Sequence, residues 1–166
     1  RHEALGDKRA AGDDLRWLSR VLWWAGQGME AAAVGDMAIA ALEQFPDSRE
    51  LAMALSGRSQ LAMLAWENEQ AIELGTRAIH LARRIDDRET VAHALTNVGS
   101  ALLGSPDHEQ GAALLEEAFA LALEIGSDDH AARALTNLGV GTMVTLRRDN
   151  GALERALAFA RERELV

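Results

Sequence analysis

The chain has 166 residues, of which 48% are hydrophobic, and its formal net charge is −9. Such an acidic surface repels the phosphate backbone of nucleic acids and anionic lipid headgroups, so we expect this segment to contact neither. The sequence contains no cysteine, which excludes disulfides, thiol catalysis and cysteine-ligated zinc. With no signal peptide and no apolar run of about 20 residues, this composition predicts a cytoplasmic protein.

Apolar residues recur three and four positions apart along the whole chain, which is the spacing of helices that bury one face. Abundant alanine and leucine, with only 2 prolines, support the same interpretation. We therefore predict helices over residues 9–26, 29–45, 48–65, 68–85, 88–103, 107–125, 128–146 and 149–164.

Start signals lie between several of these helices. Residues 47–50 (Asp-Ser-Arg-Glu) and 86–89 (Asp-Asp-Arg-Glu) place a carboxylate three positions before a glutamate, a variant of the capping box. Ser105-Pro106 predicts a cap followed by proline in the first helical turn.

The sequence repeats with a period of 40 residues. A leucine column and an alanine column hold this register, and two further columns hold only small residues. The four columns are Leu15, Leu55, Leu95, Leu135; Ala38, Ala78, Ala118, Ala158; Ala31, Ala71, Gly111, Gly151; and Ser19, Ser59, Gly99, Gly139. Each unit is therefore predicted to be two antiparallel helices that cross closely at the small residues.

The register divides residues 1–166 into units of about 8–47, 48–87, 88–127 and 128–166 within one array. Residues 1–7 are expected to be the tail of an earlier unit, and we expect the chain to be a window on a longer protein. Apolar helix faces at the ends of such an array would also allow a homodimer.

Residues 94–99 (Ala-Leu-Thr-Asn-Val-Gly) recur as residues 134–139 (Ala-Leu-Thr-Asn-Leu-Gly), and a late Ala-Ile or Ala-Phe follows in each unit. This pattern resembles the tetratricopeptide repeat. The resemblance implies an all-α fold of helix-turn-helix units that forms a right-handed superhelical solenoid. The period exceeds the commonest form, so a longer second helix is expected. Gly35 and Gly75 replace the usual aromatic residue, which indicates close packing there.

Residues 15–24 (Leu-Arg-Trp-Leu-Ser-Arg-Val-Leu-Trp-Trp), 92–99 and 111–116 also look like the helical-repeat region of large bacterial LuxR/MalT-type regulators. That resemblance implies a sensor or interaction segment of a transcriptional regulator, with an ATPase module and a helix-turn-helix elsewhere in the protein. A freestanding scaffold or adaptor with no transcriptional role is the alternative. An enzyme built on helical repeats is a third hypothesis.

The first helices of successive units are expected to line the concave face, where a protein or peptide partner, or another domain of the same protein, would bind. Asparagine can pair with peptide amides there, and arginine can bind a carboxylate through two hydrogen bonds. The predicted binding residues are Arg16, Arg20, Trp23, Gln60, His93, Thr96, Asn97, Ser100, Arg133, Thr136 and Asn137, with Asp13, Met53, Ser56 and Met63 beside them.

Structural roles compete with these assignments. Asn97 and Asn137 belong to the repeat pattern itself, and Arg16 and Arg20 can pair with the protein's own carboxylates. The four tryptophans, at positions 17, 23, 24 and 66, are expected to be core or packing residues because they bury large areas. Trp23 and Trp24 adjoin and cannot share one helix face, so one of them can be exposed. Arg58 occupies a position that usually holds leucine.

No catalytic residue, metal site or cofactor is predicted. Residues 26–31 (Gly-Gln-Gly-Met-Glu-Ala) match a dinucleotide-binding pattern by letter, but they lie between helices and are interpreted as a turn. Residues 128–130 (Asp-Asp-His) stand where acidic residues cap helices. The 5 histidines are scattered over different units, and we expect them to form no cluster.

Overall fold

The computed structural model describes residues 7–144 and 151–164, and this part of the chain forms eight α-helices and no strand. Consecutive helices pack as antiparallel pairs, and α1, α3, α5 and α7 also pack side by side, so the fold is an all-α helical-repeat solenoid. None of the described helices is long and apolar enough to cross a membrane. The helices are α1 (Lys8–Trp24), α2 (Gly28–Leu42), α3 (Arg49–Leu64), α4 (Asn68–Arg84), α5 (Arg88–Leu103), α6 (His108–Glu124), α7 (Asp128–Val144) and α8 (Ala152–Glu162).

In the first three units the small-residue columns lie where the two helices of a unit cross, as predicted, whereas Gly151 of the fourth unit precedes α8, and a Cβ there would meet no atom within 4 Å. The Ser59 hydroxyl donates a 2.7 Å hydrogen bond to the carbonyl of Ala71, and Ser19 does the same to Ala31. In the third unit a Cβ on Gly99 would lie 2.8 Å from the carbonyl oxygen of Gly111. Close crossing therefore requires a small residue at each of these positions.

The leucine column forms the centre of the core. Leu55, Leu95 and Leu135 are 2%, 1% and 1% exposed, while Leu15 on α1 is half-buried. Helix α5 is covered by α3, α4, α6 and α7, so every residue from position 90 to position 99 is buried. Ala158 departs from its buried column, because within the described residues no helix packs beyond α8.

Gly35 and Gly75 pack against the following unit, which confirms the close approach predicted for them. A Cβ on Gly75 would lie 2.4 Å from Val98 Cγ2, and one on Gly35 would lie 3.3 Å from Arg58 Cδ. The α3 and α4 helices span 16 and 17 residues, so the longer period lengthens both helices of a unit rather than the second alone.

Arg58 is explained by polar partners on two neighbouring helices. Its side chain is buried, and its Nε donates to the Asp36 carboxylate at 2.9 Å while Nη2 donates to Gln70 Oε1 at 3.0 Å. The arginine therefore fills a leucine position because its aliphatic stem packs on Gly35 and its charged end is paired.

The capping residues of two helices differ from those predicted. Ser48 caps α3 by accepting from the Leu51 amide at 3.2 Å, and Asp87 caps α5 by accepting from the Thr90 amide at 3.3 Å. Both caps are one position later than the capping-box assignment. Ser105 precedes the α6 cap and holds the turn, since its hydroxyl donates to the Leu102 carbonyl at 2.8 Å.

The pattern at residues 26–31 is a turn, as interpreted. Gly26 lies in the left-handed region with φ +78°, and Gly28 is the first residue of α2. Helix α1 ends immediately before this turn, and no strand precedes it. The arrangement needed for a dinucleotide site is therefore missing here.

The prediction that Trp17 and Trp66 are core or packing residues is wrong, and both Trp23 and Trp24 are exposed where one of the two could be. Trp17, Trp24 and Trp66 are 51%, 63% and 73% exposed, and Trp23 is 37% exposed. Trp66 lies in the turn after α3 with φ 63°, and the other three lie on α1, where no described helix covers the outer side. Exposed aromatic rings therefore lie at the α1 end of the array and in the turn between α3 and α4.

Candidate functional site on the concave face

The first helices α1, α3, α5 and α7 lie side by side and form the face that the sequence predicts to be concave, here called the concave face. Two pockets open on it. The first, here called the N-terminal pocket, has a volume of about 70 Å³ and contains the predicted residues Arg16, Arg20, Trp23, Gln60 and His93. The second, the C-terminal pocket, has a volume of about 250 Å³ and contains Ser100 and Asn137.

Two arginines of α1 lie at the N-terminal pocket. Arg16 Nε donates to Asp13 Oδ1 at 2.7 Å, and its guanidinium lies 4.5 Å from the centre of the Trp17 ring. Arg20 is exposed and lies over the Trp24 ring at 5.0 Å, a cation–π arrangement. Arg16 therefore has a carboxylate partner and an aromatic partner within α1, whereas Arg20 is exposed and, among the described residues, its guanidinium pairs only with the Trp24 ring.

Beneath this pocket is a buried polar cluster that joins α3 to α5. Ser56 Oγ and His93 Nδ1 lie 2.6 Å apart, and Asn97 Nδ2 donates to the Ser56 carbonyl at 2.8 Å. All three residues are buried. The side chains therefore hold neighbouring units together through hydrogen bonds that no solvent competes for.

Thr96 and Asn97 are corrections to the predicted binding set. Both are 0% exposed, and the Thr96 hydroxyl donates to the Ala92 carbonyl at 2.9 Å within α5. The Asn97 amide is occupied by Ser56 of the preceding unit. Their position in the repeat places them between helices rather than on the surface of the groove, so their role is structural.

Arg133 of α7 extends the cluster to a third unit. Its Nη2 donates to the His93 carbonyl at 2.8 Å and to Asn97 Oδ1 at 3.2 Å, while Nη1 lies 3.4 Å from His93 Nε2. Burial is the main cause that lowers the pKa of Arg133 to about 10, with the charge of Arg20 acting in the same direction and that of Asp129 opposing it. The guanidinium is still charged at neutral pH.

The contact with Arg133 fixes the tautomer that we assign to His93. A guanidinium can only donate, so His93 Nε2 accepts from it and Nδ1 carries the ring proton, which it donates to Ser56 Oγ. Burial is the largest cause of a pKa of His93 well below its ordinary value, followed by the charge of Arg133. His93 is therefore neutral at pH 7.

The prediction that the histidines form no cluster is wrong for two of them. The ring centres of His93 and His130 lie 5.6 Å apart in an edge-to-face arrangement. The pKa of His130 is lowered first by burial and then by Arg133, against the opposing charges of Asp129 and Glu89. Sequence reasoning missed His130 because positions 93 and 130 fall in different units and meet only when α5 packs on α7.

The C-terminal pocket is more apolar and lies between α3, α5 and α7. Asn137 Nδ2 donates to Ser100 Oγ at 2.9 Å on its wall. Leu64 and Val140 were not predicted, although the register offered a signal, since Leu64 is the 40-residue equivalent of Trp24. Thr136 is exposed on α7 but does not line this pocket. The lining residues are Met63, Leu64, Trp66, Asn68, Ser100, Ala101, Leu103, Gly104, Asn137, Val140 and Gly141.

Residues 128–130 do not form a metal site in the structure. Asp128 pairs with Arg163 at 2.7 Å, and His130 Nε2 lies 3.9 Å from Glu89 of α5. Within residues 7–144 and 151–164, no group of three or more histidine and carboxylate side chains is placed to hold a metal ion.

No family model matches the sequence, and no curated protein matches it. Among solved structures, the chain is similar to a variant of a protein from Podospora anserina that is described as a kinesin light chain with nearly identical TPR-like repeats. The TM-score is 0.65 at 14% sequence identity, and the match covers 100% of this chain and 92% of that chain. At this identity the likeness shows the fold alone, and that fold is a tetratricopeptide-like repeat array.

Proposed function

We propose that this chain binds a protein or peptide partner on its concave face, as the sensor or interaction segment of a bacterial transcriptional regulator. The observation that supports binding there is the pair of pockets related by the repeat. Trp23 and Gln60 of the N-terminal pocket correspond, 40 positions later, to Met63 and Ser100 of the C-terminal pocket. A segment that extends across two units would meet equivalent positions in both pockets, as an extended peptide requires.

Exposed apolar side chains at the rims of both pockets support an interaction surface. Trp24 is 63% exposed beside the N-terminal pocket, and Leu64, Trp66 and Val140 are 43%, 73% and 41% exposed around the C-terminal pocket. Tryptophans grouped in this way are typical anchors of protein interfaces. The partner is therefore expected to carry at least one large apolar side chain.

The contact between Ser56 and His93 is the arrangement closest to a nucleophile–base pair, and its chemistry argues against catalysis. Ser56 is 0% exposed in the middle of α3, so a substrate carbonyl has no approach to its hydroxyl. In the assigned tautomer the His93 nitrogen that faces Ser56 already carries a proton, so it cannot act as a base for that hydroxyl. We therefore propose a binding function rather than an enzymatic one.

Binding can be tested by selecting ligands from a displayed peptide library on the immobilised chain and measuring the affinity of the selected peptides. Gln60→Ala removes a residue of the N-terminal pocket, and Gln44→Ala is its matched control near the end of α2. Trp66→Ala and Trp17→Ala form a second pair, since Trp17 lines neither concave pocket. The proposal predicts at least a tenfold loss for Gln60→Ala or Trp66→Ala, with both controls unchanged.

The outcome that contradicts concave-face binding is an equal effect of test and control variants, or no selected peptide at all. The regulatory context has a separate test, which is the sequence of the gene on both sides of the segment. A nucleotide-binding loop before it and a helix-turn-helix after it would support the regulator. Repeats alone would favour the freestanding scaffold.

A further inference from the structure

Two arginines at the concave face have no carboxylate partner. Most described arginines pair with an aspartate or glutamate within 4.0 Å, as Arg9 does with Glu50. Within the described part of the chain, Arg20 and Arg133 have no such partner, and Arg161 on α8 also has none. In a protein of net charge −9, unpaired arginines gathered on one face indicate a locally positive site.

Arg133 is held in place by hydrogen bonds to neutral groups, and the nearby carboxylate of Asp129 offsets part of its charge. Its hydrogen bonds go to the carbonyl and ring of His93 and to the Asn97 amide oxygen. Its Nε is buried and has no hydrogen-bond partner among the described residues, and the same holds for His130 Nδ1. Of these two atoms, Arg133 Nε is a donor, and a buried donor without a partner costs about 1–3 kcal/mol, so an additional acceptor beside Arg133 is favoured.

The N-terminal pocket provides space beside these groups. His93 lies at its floor and Arg20 in its wall, and its volume of about 70 Å³ accommodates a small charged group. Arg20 and His93 line this pocket together, Arg133 Nη1 lies 3.4 Å from His93 Nε2, and the ring centre of His130 lies 5.6 Å from that of His93. Gln60 adds an amide that can donate from α3.

We propose that Arg20 and Arg133, with His93 and His130 packed beside them, form an oxyanion-binding site at the N-terminal pocket, which takes a carboxylate or phosphate group. The group belongs either to an acidic residue of a bound segment or to a free small molecule. Arg20 donates to the oxyanion from the solvent side, and Arg133 stabilises it from beneath. The inference rests on the proposed function for the location of the ligand, and it deepens that function by naming the chemistry that is recognised.

The test follows the imidazole ¹⁵N signals of His93 and His130 by NMR while inorganic phosphate, acetate or a capped tri-glutamate peptide is added at constant ionic strength. A saturable shift with at least one probe is expected. Arg20→Gln should weaken that binding at least tenfold, because one charge-assisted hydrogen bond is removed. Arg161→Gln removes an equally unpaired arginine from α8 and should change the affinity less than twofold.

Phosphate binding more tightly than both carboxylate probes would identify a free small molecule, and tri-glutamate binding more than tenfold tighter than acetate would identify a bound segment. Both results support the site. Equal effects of Arg20→Gln and Arg161→Gln, or no saturable shift with any probe, would overturn it. If selected peptides bind but ignore Arg20→Gln, the oxyanion site fails and concave-face binding stands. If phosphate binds but no peptide ligand is selected, the oxyanion site stands and the binding of a peptide on the concave face fails.

Discussion

Gly75→Ala tests the idea that adjacent units pack too closely to admit even one methyl group. A Cβ at this position would lie 2.4 Å from Val98 Cγ2 and 2.8 Å from Ser59 Oγ. Val98 is 4% exposed and β-branched, so its side chain has few alternative rotamers. Ser59 is fixed by its hydrogen bond to Ala71. Neither neighbour can move away without disturbing the interface between α4 and α5.

The expected magnitude follows from two opposing effects. Overpacking a core position costs about 1–3 kcal/mol, and replacing glycine by alanine inside a helix gains up to about 1 kcal/mol. Because the overlap at Gly75 is severe, the upper half of the overpacking range applies. We expect the free energy of unfolding to fall by about 1–2 kcal/mol, which for a chain of this size lowers Tm by about 2–4 °C per kcal/mol.

Urea denaturation of the whole chain, followed by circular dichroism, measures this change, and Gly57→Ala is the matched control. Gly57 lies in the interior of α3, and no neighbouring atom lies within 4 Å of the Cβ it would gain. There the helix-propensity gain is unopposed, so the variant should be more stable by up to about 1 kcal/mol.

The packing argument would be refuted if Gly75→Ala were as stable as Gly57→Ala. A double-mutant cycle sharpens the result. In the Val98→Ala background the nearest obstructing atom is gone, so Gly75→Ala should cost at least about 1 kcal/mol less than it does in the wild-type chain. If Gly75→Ala lowered the stability equally in both backgrounds, the overlap with Val98 would not be the cause of the destabilisation.

Three further outcomes follow from the same structure. Asn97→Ala should lower the free energy of unfolding, measured by urea denaturation, by about 1–3 kcal/mol, because the Ser56 carbonyl loses its hydrogen bond. Asn137 is half-buried, so Asn137→Ala should lower it less. Equal losses would contradict the structural role of Asn97. Since the pKa of His93 is lowered in the folded state, the stability it contributes is present above its unfolded pKa of about 6.5 and is lost as pH falls. Lowering the pH from 7.5 to 5.5 should therefore reduce the free energy of unfolding of the wild-type chain by up to about 1.4 kcal/mol more than it reduces that of His93→Gln. Trp66→Ala should change stability by less than about 0.5 kcal/mol, as its thermal unfolding can show.

The helices and their close crossings could be predicted from sequence because both depend on local spacing. Apolar residues three and four positions apart define each helix, and a strict period aligns Ser59 with Ser19 wherever the units stack. The need for small side chains at a crossing is a property of each unit alone. Such features do not require knowledge of which units meet.

The tryptophans and the polar cluster could not be predicted in this way. The burial of Trp17 depends on whether another helix covers α1, which no property of the residue reveals. The cluster joins Ser56, His93 and Arg133, which are 37 and 40 positions apart and come from three units. His93 and Arg133 share a column of the repeat and Ser56 lies in another, so periodicity gives no signal that the three side chains meet.

If the proposed oxyanion site is occupied, the polar cluster has two roles that depend on each other. Arg133 connects α7 to α5 through the His93 carbonyl, and Asn97 connects α5 to α3 through the Ser56 carbonyl. A ligand that neutralises Arg133 would lower the cost of burying its charge and so strengthen the contacts between three successive units. By mass action, binding at 100 times the dissociation constant adds about 2.7 kcal/mol to the stability of the folded chain. Ligand binding and the rigidity of the array should therefore rise together, which is the coupling that a sensor segment requires.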